Sequence, residues 1–199
     1  MEAKQQINNY LERVTSCIQA LDRDEINQLA YVMFETYKKD KNIFIFGNGG
    51  SATTASHFAC DLNKGVSYGK NKKFRVLALT DNMATITAYA NDTSYDDIFV
   101  EQLKNFLSPE DLVIAISGSG NSKNVVKAIE YANTQGNITV GLTGYDGGKL
   151  KRLATYSVNA NINDMEVSED IHLILNHTVK NVFIDLLAEK KSLPQFSLK

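Results

Sequence analysis

The chain has 199 residues, 43% of them hydrophobic and 22% charged. That excludes a disordered chain, a collagen and a disulfide-stapled miniprotein, and the length suits one domain. Lys plus Arg number 21 against 23 Asp plus Glu, a net charge of −2, so no general attraction to nucleic acid or to an anionic membrane is expected. Cys17 and Cys60 form no CxxC motif, and two buried, reduced thiols are the expected state. The opening MEAKQQINNYLERV is polar and unlike a signal peptide. No apolar run approaches the roughly 20 residues of a membrane helix. A soluble, cytoplasmic protein is expected.

Residues 1–40 read as helix. Ile7, Tyr10, Leu11, Val14, Ile18 and Leu21 recur every three or four positions, and Ile26, Leu29, Ala30, Met33, Phe34 and Tyr37 form a second such run. Both precede any strand signal, and they either cover the core or pack on another subunit. Short β-rich runs follow at 42–46 (NIFIF), 74–80 (FRVLALT), 112–116 (LVIAI) and 138–142 (ITVGL), with a weaker fifth at 155–160 (TYSVNA). Helix-like segments lie at about 51–63, 82–105 and 121–135. A last helix, about 166–190, carries Ile171, Leu175, Val179, Val182, Phe183, Leu186 and Leu187 on one face. Nearly all-apolar strands predict a parallel sheet buried on both faces. Alternating strands and helices predict an α/β doubly wound fold. The expectation is a single domain over 1–199, with a helical segment at 1–40 and an α/β core at 41–199.

Ligands of such folds bind beyond the carboxyl ends of the strands. The first strand runs into Gly47, Asn48, Gly49, Gly50 and Ser51, then directly into a helix. Glycines permit tight turns, and a helix N-terminus offers free N–H groups. An ordinary strand–helix turn accounts for this loop equally well. It is neither a dinucleotide fingerprint, since GxGxxG fails at Ala52, nor a P-loop, since no Gly-Lys-Ser/Thr follows. After the third strand, the hydroxyls of Ser117, Ser119 and Ser122 gather at another helix start. Many neutral donors there suit a phosphate monoester. A serine-capped turn is the plainer alternative, but three serines directly after a buried strand favour phosphate. A third glycine loop spans 143–148.

The histidines are His57, His172 and His177. His57 and Asp61 are four residues apart and share a helix face. They suit metal binding or acid–base work, although a local ion pair explains an isolated HxxxD. Glu169 and His177 lie about 80° apart on the last helix, whereas His172 lies about 140° from His177. His172 is therefore read as structural or as a subunit contact. His57, Asp61, Glu169 and His177 make a mixed nitrogen and oxygen set suited to Zn²⁺.

GNGGSxxxxxHFAxDL (47–62), TDN (80–82), AYANDTSYDDIF (88–99), SGSGNS (117–122), LTGYDGGKL (142–150) and the Glu169, His172, His177 spacing occur in this order. Together they resemble the sugar isomerase (SIS) domain of phosphoheptose isomerases, over nearly the whole chain. The resemblance implies an αβα sandwich with a five-stranded parallel sheet, flavodoxin-like, with added N-terminal helices. It implies a homotetramer with active sites at subunit interfaces. The implied activity is the aldose–ketose isomerisation of sedoheptulose 7-phosphate to D-glycero-D-manno-heptose 7-phosphate through an enediol, for surface-glycan synthesis, with a zinc ion bound.

By position, the resemblance implies substrate contacts at Asn48, Gly49 and Ser51 and phosphate contacts at Ser117, Ser119 and Ser122. It implies metal ligands at His57, Asp61, Glu169 and His177, with Asp61 and His177 also the catalytic pair. Three positions depart from the family pattern. Asp61 replaces a glutamate, which shortens the reach by about 1.5 Å. Glu169 replaces a glutamine and adds negative charge. Gly65 stands where the family tends to carry arginine, with Lys64 beside it. Two other readings remain open: a non-catalytic phosphosugar-binding regulator or scaffold, and an isomerase of another ketose phosphate. The presence of His57 and His177 favours an enzyme.

Overall fold

The structure is a computed structural model that describes residues 2–189. Helix α1 (Ala3–Ala20) precedes α2 (Arg23–Lys38), whose N-terminus is capped by Asp22. The Asp22 carboxylate accepts from the Asp24 N–H at 2.8 Å, which satisfies one of the free donors of a helix start. The two N-terminal helices differ in burial. Helix α2 buries Leu29 through Phe34 against the sheet, whereas α1 buries only Cys17 and exposes Ile7 and Leu11.

The core alternates as its apolar pattern requires. Strand β1 (Asn42–Gly47) leads into α3 (Gly50–Cys60), which continues as a π-helical turn over Asp61–Val66. Then come β2 (Arg75–Ala78), α4 (Met83–Asp92), α5 (Val100–Phe106), β3 (Leu112–Ser117) and α6 (Lys123–Thr134). Strand β4 (Ile138–Thr143), α7 (Gly148–Leu153), β5 (Tyr156–Asn159) and α8 (Met165–Glu189) complete the chain. The five strands are all parallel, in the order β2-β1-β3-β4-β5. All six residues of β3 are buried, as expected of a central strand covered on both faces. One apolar layer joins the sheet to α1, α2, α3 and α8, and the other joins it to α5, α6 and α7. This is the αβα sandwich expected.

Strand order reverses between β1 and β3, and the loops after these two strands therefore face one crevice. The two strands pair up to Gly47 opposite Ile116. A Cβ on Gly47 would lie 2.6 Å from the Ile116 carbonyl oxygen, and 2.6 Å from Ser51 Cβ. Only glycine fits where α3 leaves the sheet.

Three expectations need correction. The segment 82–105 is not one helix. Helix α4 ends at Asp92, a 3₁₀ turn spans Tyr95–Asp97, and α5 starts at Val100. The Thr93 hydroxyl donates to the Tyr89 carbonyl at 2.8 Å, and the Ser94 hydroxyl accepts from the Asp96 N–H at 3.1 Å. Such local side-chain bonds compete with helix continuation. The helix expected at 51–63 changes register at Asp61, where the π turn begins. Cys17 is buried, and its thiol donates to the Ala160 carbonyl at 3.1 Å, but Cys60 is exposed. The last helix matches its reading, whose end at 190 lies one residue outside the described span.

His172, on the core face of α8, is fully buried. Burial lowers its pKa from 6.5 to about 4, against a smaller opposing effect of the Thr143 backbone. The unfolded chain therefore binds a proton between these two values that the folded chain excludes. Stability from this group is complete above about pH 6.5, falls as pH drops, and is lost below about pH 4. Urea titrations between pH 7 and 4 should show about 3 kcal/mol of such loss in the wild type. His172→Phe should flatten that slope.

Candidate active site

The carboxyl ends of β1 and β3 open into a cleft of about 280 Å³. Asn48, Gly49, Gly50 and Ser51 form one side, Ser117, Gly118, Ser119 and Ser122 the other, and Met165 and Glu169 of α8 close it. Gly49 has φ +56°, a left-handed turn that glycine adopts without strain. Helices α3 and α6 both start at this cleft, so two sets of free N–H groups face it. Ser117 Oγ and Ser122 Oγ lie 3.3 Å apart. No lysine or arginine lines the cleft among the described residues. The six residues read as substrate and phosphate contacts, Asn48, Gly49, Ser51, Ser117, Ser119 and Ser122, all line it.

The two loops are joined by an amide pair. Asn48 Nδ2 donates to Asn124 Oδ1, and Asn124 Nδ2 donates to Asn48 Oδ1, both at 2.9 Å. Tyr95 Oη also donates to Asn48 Oδ1, at 3.0 Å. From the far side, the Gly144 N–H donates to the Gly118 carbonyl at 2.8 Å, so the third glycine loop braces the serine loop.

A second group of side chains lies farther along α3 and α8. Asp61 Oδ2 is 3.4 Å from His57 Nε2 and 3.6 Å from His177 Nε2, and the two imidazole nitrogens are 3.3 Å apart. The imidazoles are half exposed, whereas the Asp61 side chain is only 11% exposed. Asp61 Oδ1 accepts from Lys180 Nζ at 2.8 Å, and Oδ2 accepts from Asn176 Nδ2 at 3.3 Å. The ligand atoms of His57, Asp61 and His177 lie within 4.8 Å of one another. Two imidazole nitrogens and a carboxylate oxygen at this spacing form a donor set that fits Zn²⁺.

Glu169, expected as a fourth ligand, does not join this group among the described residues. Eight residues of helix place it nearly on the His177 side but about 12 Å away along the axis. Its carboxylate lies in the cleft against Gly50. Burial raises its pKa, and the charges of Glu166 and Asp170 add to the effect. His172 also stays outside the group, as its angle on the helix requires.

Three partners carry no motif of their own, Asn124, Asn176 and Lys180, whereas Tyr95 lies within the AYANDTSYDDIF segment (88–99). Lys180 has one sequence signal, since at i+3 it shares a helix face with His177. Asn124 also has one, as a polar residue in the first turn after the serine loop. For Asn176 only the fold brings the contact.

These loops and this sheet order define a SIS domain, and the SIS domain family profile matches residues 6–144. A probable phosphoheptose isomerase from Thermoplasma acidophilum is 35% identical over 179 residues, covering 90% of this chain and 96% of that one. A phosphoheptose isomerase from Helicobacter pylori is 36% identical over 155 residues, covering 78% and 80%. The structure of a phosphoheptose isomerase from Neisseria gonorrhoeae superposes with a TM-score of 0.86 at 25% identity, covering 92% of this chain and all of that one. The chain belongs to the phosphoheptose isomerase family of SIS-domain proteins.

The amide pair makes a stability prediction. Asn124 is 2% exposed, and Asn124→Ala strands Asn48 Nδ2 and leaves Asn48 Oδ1 with Tyr95 Oη as its remaining partner. The expected cost is about 1–3 kcal/mol. Melting followed by circular dichroism should show Tm lower by roughly 2–12 °C.

Proposed function

We propose that the protein isomerises sedoheptulose 7-phosphate to D-glycero-D-manno-heptose 7-phosphate through an enediol, providing a heptose for surface-glycan assembly. The observation that carries this reading is the position of α8. It closes the cleft at Met165, beside Gly118 of the serine loop, and at Glu169, beside Gly50, and about 12 Å beyond Glu169 it brings His177 to Asp61 and His57. An extended heptose phosphate has that order of length. Its phosphate is read into the serine loop and its carbonyl end at Asp61.

Asp61 Oδ2 then removes the proton from the carbon next to the carbonyl, and the His177 imidazole gives a proton to the carbonyl oxygen. The enediol collapses when Asp61 returns its proton to the neighbouring carbon and His177 takes one from the other hydroxyl. The two groups end as they began. His57, Asp61 and His177 would hold a zinc ion, one per site, and His177 would then keep its transferable proton on the ring nitrogen that the ion leaves free. That ion would polarise the substrate oxygens and stabilise enediolate charge. Glu169, in the cleft, faces the substrate rather than the ion.

The proposed assembly is a homotetramer with active sites at subunit interfaces. Helix α4 supports it, since none of its residues is buried and Met83 is 64% exposed. The proposed location is the cytoplasm. No helix among the described residues is long and apolar enough to cross a membrane.

The test is incubation with sedoheptulose 7-phosphate in D₂O, with and without zinc, followed by NMR. The expected result is aldose carrying deuterium next to its carbonyl. Asp61→Asn and His177→Gln should each slow turnover by about 10²–10⁴-fold while the protein stays folded. A folded wild type that binds the sugar phosphate but neither converts nor exchanges it would overturn the enzyme reading in favour of a phosphosugar sensor.

A further inference from the structure

The proposed reaction uses one oxygen of Asp61. The other is occupied. Oδ1 accepts from Lys180 Nζ at 2.8 Å, while Oδ2 faces His57 at 3.4 Å and His177 at 3.6 Å. The carboxylate is thus divided between a cation on one side and the two imidazoles on the other. Asn176, four residues before Lys180 and so on the same face of α8, donates to Oδ2 at 3.3 Å. Rotation of the carboxylate would break both contacts together.

The Lys180 side chain is 26% exposed and that of Asp61 11%, so solvent screens this pair less than an open surface pair. The fold also makes room for the lysine. The π turn over Asp61–Val66 sets Gly65 beside Asp61. A Cβ at Gly65 would come within 3.0 Å of Lys180 Cε and 3.7 Å of Asp61 Oδ1. The missing side chain leaves the channel through which the lysine stem reaches the carboxylate.

We propose that Lys180 is a positioning residue: it fixes Asp61 Oδ1 so that Oδ2 alone serves the substrate, and its charge weakens the hold of the three-ligand site on a dication. The first half rests on the isomerase reading, and the second does not. Lys180 touches Asp61 rather than the reacting atoms, and so acts through it.

The test uses the full chain and two variants, Lys180→Met, which keeps the stem without the charge, and Lys180→Arg, which keeps the charge. Turnover of sedoheptulose 7-phosphate and zinc affinity by chelator competition are both measured, with thermal melting as the control for folding. Lys180→Met should lower kcat about tenfold or more through loss of alignment, with KM changed less than about threefold. The same variant should bind zinc about tenfold more tightly, since a cation near the site is gone. Lys180→Arg should restore both toward wild type. A purely structural lysine would lower Tm and weaken zinc binding with turnover, and that pattern overturns the proposal. So does a folded Lys180→Met with wild-type kcat and zinc affinity. If wild type turns over no sugar phosphate, the isomerase reading fails by itself. Tighter zinc binding in Lys180→Met would then still support the action of Lys180 on Asp61, and unchanged zinc binding would overturn it.

Discussion

Between β1 and β3 the chain changes its direction of travel across the sheet, and the two strands run together to their ends because Gly47 places no side chain between them. Helices on opposite faces of the sheet must therefore diverge there, leaving a crevice that no connection crosses. The serine loop, the start of α3 and the start of α6 all border this crevice. The Asn48–Asn124 pair holds its two walls in register. Among the described residues no lysine or arginine lines the cleft, and its donors are the N–H groups of two helix starts and three hydroxyls.

Helix α8 carries the second half of the site. It is the longest helix described, and it lies against α3, α2 and α1 through a largely apolar face that includes Ile171, Leu175, Val179 and Phe183, with His172 buried beside them. That packing fixes its rotation. With rotation fixed, His177 must face His57, and Asn176 and Lys180 must flank Asp61. The grouping of His57, Asp61 and His177 is thus a consequence of hydrophobic burial on the opposite side of the same helix.

Much of this is legible in the sequence, for identifiable reasons. The strands announce themselves because both faces of each are buried and polar residues are excluded. His57 and Asp61 are legible because four residues of helix define a shared face. The break within 82–105 is not legible, because Ile86, Tyr89, Ala90, Ile98 and Phe99 keep an apolar pattern through it while Thr93 and Ser94 redirect the backbone. Glu169 is legible in angle but not in height: a helical wheel discards the axial rise, and the rise separates it from His177. Lys180 depends on a gap at Gly65 in another element, which no periodicity along α8 reports.

The gap at Gly65 also bears on how such chains diverge. Position by position, Gly65 reads as the loss of a cation that the family resemblance leads one to expect, and Lys180 as an unrelated surface lysine. In space the two positions touch, so a positive charge beside Asp61 can be supplied from either helix, provided the other one yields the volume. A lineage that lost its cation on the π-turn side could keep one near the carboxylate by gaining it on α8. Comparisons that score columns independently would count two unconnected changes where the molecule registers one exchange.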